Sequence, residues 1–292
     1  MIGKCEVLYH YTTLDTFANI IKSKKFRLCD ITKSNDPLEG VYMIKALEDA
    51  YHKLYHDNKI SKEEHLMINR AFFRFSEMIA SQGRNRDFYG AASFCIQSHE
   101  LLMLRSYANN GKGVALGVPI LTLETLAKND PHLEFKKIKY LSDKEIGEKA
   151  SGFWMTKVST WKKQYSNLDD EILSKFVKEI EEFYRKSYFI KNKVNEDEQE
   201  YRLLFRCNDL FEICLPGVDR YVPKNIDFIQ SDNDLKAYYE ITVGDGDDAP
   251  FHFCNIVIGP KCNATEEEIN VFLRRHGIKD VSVFKNSWTQ MR

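Results

Sequence analysis

Between residues 142 and 192 the chain is charged and helical in pattern, and short apolar, strand-like runs lie on both sides of it. Strands on both sides of a helical block make a mixed fold. The expected fold class is α+β, as one domain over residues 1–292 with the 142–192 block as a helical insertion. With 292 residues, 43% of them hydrophobic, including 19 Phe, 15 Tyr and 3 Trp, the chain is long enough for a substantial core.

The strand-like runs are Val7 to Tyr11, Phe26 to Cys29, Phe88 to Ile96, Gly113 to Val118, Glu200 to Arg206, Phe211 to Leu215, Tyr238 to Val243, Phe251 to Ile258 and Val281 to Phe284. Helices are expected over 13–24, 38–55, 61–81 and 100–107, and after Thr265, which with Glu268 forms a capping pair. Thr12, with Asp15 three residues on, is the expected cap of the first helix. The stretch 175–186 carries Phe176, Ile180 and Phe183 on one stripe.

A net charge of −1 argues against a general nucleic-acid coat or a membrane-surface binder. No apolar run reaches the roughly 18 residues that a membrane helix needs, and the first residues lack a signal-peptide layout. A cytoplasmic protein is expected. Seven scattered cysteines without a CxxC pair argue against a disulfide framework or a zinc site. The acidic loop Gly244 to Asp248 lacks the later Glu of a calcium loop. His52, His56, His65, His99, His132, His252 and His276 show no pattern. Neither a GxGxxG nor a P-loop is present.

Chemistry concentrates in three segments. Glu198 and Glu200 stand two apart at the mouth of an apolar strand, so alternation would put both carboxylates on one face. His10, followed by Tyr11 and Thr12, lies on the first strand; Ser93 lies on a later strand, with Tyr107 at the end of the next helix. A histidine, an aromatic ring and a glutamate suit cleavage of the glycosidic bond of NAD. Imidazole bonds ribose hydroxyls, a ring stacks on nicotinamide, and a carboxylate steadies the sugar as positive charge develops.

The strings Leu8-Tyr9-His10-Tyr11-Thr12, Asn35-Asp36-Pro37-Leu38-Glu39, Ser93-Phe94-Cys95, Tyr107-Ala108-Asn109-Asn110-Gly111-Lys112-Gly113-Val114, Glu198-Gln199-Glu200-Tyr201-Arg202 and Ile256-Val257-Ile258-Gly259-Pro260-Lys261 follow one another in that order. Together they resemble a bacterial family known as domain of unknown function twenty-nine seventy-one, which in turn resembles ADP-ribosyltransferases of the His-Tyr-Glu type. The resemblance implies a split, strongly bent antiparallel sheet with flanking helices. It implies that Glu200 is the catalytic glutamate, with Glu198 helping to activate the acceptor. His10 would hold the adenosine-side ribose, Tyr11 and Thr12 would lie beside it, and the Tyr11 backbone and Ser93 would meet the nicotinamide amide. Tyr107, or else Tyr89, would stack on nicotinamide. Arg105 stands where the family has Trp and would reshape that wall or contact a phosphate. The implied substrate is NAD, the implied acceptor a macromolecule, RNA or protein, and the implied setting a toxin or phage-defence effector with a neutralising antitoxin. NAD hydrolysis and non-catalytic binding are the alternatives.

Overall fold

The computed structural model describes residues 6–33, 41–80, 87–97, 101–164, 170–207, 224–231, 234–244 and 250–286. In chain order it forms β1 (Val7–Thr12), α1 (Leu14–Ser23), β2 (Lys25–Asp30), α2 (Val41–His56), α3 (Lys62–Ala80), β3 (Phe88–Cys95), α4 (Leu101–Ser106), β4 (Val114–Pro119), α5 (Ile120–Asn129), β5 (Leu133–Lys137) and β6 (Lys139–Leu141). There follow α6 (Asp143–Gln164), α7 (Asp170–Arg185), β7 (Ile190–Asn192), β8 (Glu200–Cys207), β9 (Ile226–Ser231), β10 (Asp234–Thr242), β11 (Asn255–Ile258), α8 (Glu266–Arg275) and β12 (Ser282–Lys285). The expected strand at Phe211 to Leu215, the Asn35-Asp36-Pro37 turn and most of the acidic 244–248 loop lie outside the described residues.

The class is α+β. The main sheet runs β12-β11-β4-β1-β3-β2-β10-β9, and β8 with its neighbour β5 branches from β3. β3 pairs with β8 along its whole length, from Phe88 opposite Cys207 to Cys95 opposite Glu200. Its other edge is shared, with β2 at Gly90 and Ala91 and with β1 at Cys95. The sheet therefore forks at β3. It is not wholly antiparallel, as the resemblance implied: β12 joins β11 in parallel, because α8 carries the chain back over the sheet between them. β6 and β7 form a second, parallel pair.

Helices cover both faces. Leu8, Phe26, Leu28, Phe94, Leu203 and Phe205 pack with α1, α5 and α8 on one side. On the other side Tyr89 and Leu204 pack into a core made by α2, α3, α6 and α7. Burial on both faces explains why β8 and β3 read as continuous apolar runs and not as alternating ones. The helical block does not stand alone. Trp154 of α6 donates to the Leu47 carbonyl of α2 at 2.8 Å, and Trp161 of α6 stacks on Phe176 of α7 at 3.7 Å.

Local signals set the helix starts. Ser61 with Glu64 and Ser142 with Glu145 form reciprocal caps for α3 and α6, and Thr265 with Glu268 does so for α8. The first helix departs from expectation by one residue. Thr13 is its cap, accepting from the Thr16 amide at 3.1 Å, while Thr12 is a buried strand residue.

Candidate functional site

The sheet brings a compact ionic cluster to the first residue of β8. Chain direction changes sharply there: residues Lys193–Glu198 form a 3-10 turn and Gln199 is left-handed, with φ 45°. Glu198 therefore belongs to the turn and not to the strand, so the alternation argument for the two acids fails. They are brought together by Lys191 of β7. Its Nζ lies 2.7 Å from a Glu198 carboxylate oxygen and 2.8 Å from Glu200 Oε2.

Glu200 and Arg202 are each 1% exposed. Arg202 reaches Glu200 Oε1 with Nε at 2.9 Å and Nη2 at 2.7 Å, and its other terminal nitrogen donates to the Tyr188 carbonyl. The Ser93 hydroxyl donates to the same Oε1 at 2.6 Å, and the Glu200 amide donates to the Tyr140 hydroxyl at 2.8 Å. Burial by itself would raise the Glu200 pKa, but the charges of Arg202 and Lys191 and the Ser93 bond outweigh it and hold the carboxyl below its ordinary value. Glu200 is thus a buried, ionised carboxylate. Oε1 takes the Arg202 and Ser93 bonds, whereas Oε2 faces the Lys191 ammonium at 2.8 Å. Burial pushes the Tyr140 hydroxyl up, which keeps it protonated beside these acids.

His10 does not share a face with this carboxylate. The register places Tyr9 opposite Cys95 and Cys95 opposite Glu200, so Tyr9, Cys95, Ser93 and Glu200 look to one side. His10 looks to the other. Its ring meets Phe26 edge-on at 5.0 Å and Phe94 at 5.8 Å. Ser93 connects the two sides: His10 Nδ1 lies 3.0 Å from the Ser93 carbonyl, while the Ser93 hydroxyl bonds Glu200. Desolvation lowers the His10 pKa, so the ring is neutral at pH 7 with Nδ1–H donating to that carbonyl and Nε2 left as an acceptor.

The α4 segment lies on the Glu200 side. Met103, Leu104 and Ala108 pack with Tyr11, Cys95, Ala115 and Val257. Tyr11 is buried, and its hydroxyl donates to the Gln97 carbonyl at 2.6 Å. Tyr107 is 42% exposed and Arg105 is also exposed. Tyr89, the alternative stacking ring, is buried against Tyr188 at 4.7 Å with its hydroxyl on Asp87, so of the two rings solvent reaches Tyr107. The turn after Tyr107 is strained. Asn109, Asn110 and Gly111 are consecutively left-handed at φ 49°, 55° and 81°. Gly113 then passes so close to the Thr12 carbonyl that an added Cβ would lie 2.1 Å from it, which leaves Thr12 pinned by packing.

Three members of the cluster escaped the sequence reading. Lys191 and Tyr140 carry no local signal, because they stand at the two ends of the helical block and meet Glu200 only in three dimensions. Arg202 was findable: two residues beyond Glu200 on a strand, it must point the same way. No helix among the described residues is long and apolar enough to cross a membrane. No family model, curated protein or solved structure matches this chain.

Proposed function

We propose that the chain binds NAD, cleaves its glycosidic bond and transfers ADP-ribose to a macromolecular acceptor, RNA or protein, as the resemblance to the His-Tyr-Glu ADP-ribosyltransferases implies. The observation that carries this is Glu200: an ionised carboxylate in a dry setting, with one oxygen held by Arg202 and Ser93 and the other paired with Lys191. A ribose 2′-hydroxyl donating to Oε2 gains strength as positive charge grows on the sugar, and a pre-oriented carboxylate supplies that gain without reorganising. The bond from the ribose carbon to the nicotinamide nitrogen breaks with its electron pair leaving on nicotinamide. The acceptor's nucleophilic atom forms the new bond to that carbon and gives up its proton, which Glu198, sharing Lys191 with Glu200, would take. Tyr107 supplies an exposed ring for stacking. A toxin of this kind works with a neutralising protein partner.

One observation favours a second reading, a binding module without catalysis. Glu200 at 1% exposure, locked to Arg202, Lys191 and Ser93, has the form of a buried structural ion cluster. Incubation with NAD, total cell RNA and lysate separates the possibilities. Release of nicotinamide together with labelled RNA or protein is expected, and Glu200→Gln is expected to slow it by roughly 10²–10³-fold. Nicotinamide with free ADP-ribose alone means hydrolysis. NAD binding without nicotinamide release means a binding module.

A further inference from the structure

We propose that the Tyr140 hydroxyl is a substrate-binding donor of the Glu200 site, giving its proton to the ribose 3′-oxygen beside the hydroxyl that Glu200 meets. The inference rests on the NAD reading and adds to it a residue that the resemblance does not supply. Tyr140 lies on β6 directly opposite Lys191 of β7. Both side chains of this register pair reach the first residue of β8. The Ile138 amide, just before β6, donates to the Glu200 carbonyl at 2.9 Å and ties the β6–β7 ribbon to the residue it serves.

The direction of the bond between Tyr140 and Glu200 matters. The Glu200 amide is its donor and the Tyr140 oxygen its acceptor, at 2.8 Å. An amide N–H can only donate, so the phenolic proton is not spent in that bond. No other hydrogen bond reaches Tyr140 among the described residues. The remaining donors around the carboxylate are committed: Ser93 and Arg202 to Oε1, and Lys191 to the two acids. Tyr140 is half-buried, whereas Glu200 and Arg202 are buried. Burial raises its pKa, with the Glu200 and Glu198 charges adding to this and the Glu200 amide bond opposing, so the hydroxyl keeps its proton at neutral pH.

In the NAD reading Glu200 meets the 2′-hydroxyl of the nicotinamide ribose. The adjoining group on that ring is the 3′-hydroxyl. Of the side chains that touch Glu200, Tyr140 is the one whose proton is not already given to the protein. A purely structural Tyr140 would hold the Glu200 amide and give that proton to water.

The test measures nicotinamide release by the full-length wild type and by Tyr140→Phe, which keeps the ring and removes the oxygen. Each protein is assayed with NAD and with NAD lacking the 3′-hydroxyl on the nicotinamide ribose, below its own melting temperature. With NAD the variant is expected to show a KM raised roughly two- to tenfold and kcat little changed, as for one uncharged hydrogen bond made in ground and transition states alike. The deoxy substrate is expected to cost the wild type a similar factor and the variant nothing further, because one bond cannot be lost twice. Full additivity of the two losses, or normal kinetics in Tyr140→Phe, overturns the proposal and leaves the NAD reading standing. A fall in kcat with KM unchanged also overturns it, since Tyr140 would then act only by holding the Glu200 backbone. So does a wild type that handles both substrates alike, a comparison that needs no variant. Absence of nicotinamide release from NAD by the wild type removes the NAD reading, and this inference with it.

Discussion

Glu200 carries its charge where water barely reaches, and two cations make that tolerable. Removing one partner of a buried pair costs about 3–5 kcal/mol, because the remaining charges stay buried and uncompensated. Glu200→Gln is therefore expected to lose stability on that scale as well as activity, and its turnover has to be read at a temperature where a melt shows it folded. Ser93→Ala removes one bond to the carboxylate and leaves both cations in place, so a smaller loss of about 1.5–3 kcal/mol is expected. Urea unfolding of the two variants measures the contrast. The pH dependence follows from the depressed Glu200 pKa. Its contribution is complete above the unfolded value of about 4.3 and is lost as pH falls through the lower folded value. The acid limb of the stability curve should flatten in Glu200→Gln.

At the scale of elements, α6 is the longest described helix and carries glycines at 147 and 152, well inside its Asp143–Gln164 span. A Cβ added at either position meets nothing within 4 Å. Glycine in a helix interior costs about 0.8–1.0 kcal/mol relative to alanine. Gly147→Ala and Gly152→Ala should each raise the guanidinium midpoint by an amount matching that gain. A fall at Gly147, which lines the cleft between α6 and α2 with Lys45, Asp49 and Lys53, would show that the cleft needs a bare backbone there.

Over the whole molecule, the helical layer is tied to the sheet by a charged seam as well as by its core. Arg206 of β8 holds Asp87 at 2.6 Å and Glu181 of α7 at 2.9 Å, and Tyr89 donates to Asp87. Burial, then the nearby Asp87 charge, push the Glu181 carboxyl up to about 7, with Arg206 opposing. A folded value above the unfolded one means that the Glu181 contribution is complete below about pH 4.3 and is lost as pH rises through about 7. Glu181→Gln should remove that slope and be the more stable protein at pH 8. Melts of both proteins between pH 5 and 8 test this, and subtracting the two curves cancels the histidine titrations they share.

Periodicity and caps in the sequence were sufficient for the helices at 14–23, 41–56 and 62–80, for β3 and β8, and for the α+β class, because a helical stripe or a doubly buried strand is written in neighbouring residues. The short strands β5, β6 and β7 were not legible, since segments of three to five residues that carry charge become strands only when a neighbour pairs with them. The site shows the same division. Sequence alone singled out Glu198, Glu200, His10, Ser93 and Tyr107. Tertiary structure decided that Glu198 sits on a turn, that His10 faces away from Glu200 and reaches it through Ser93, and that Lys191 closes the cluster. Side-chain direction in a sheet is set by register, and ion pairing by which distant strands meet. Both are properties of the folded chain, to which local composition is blind.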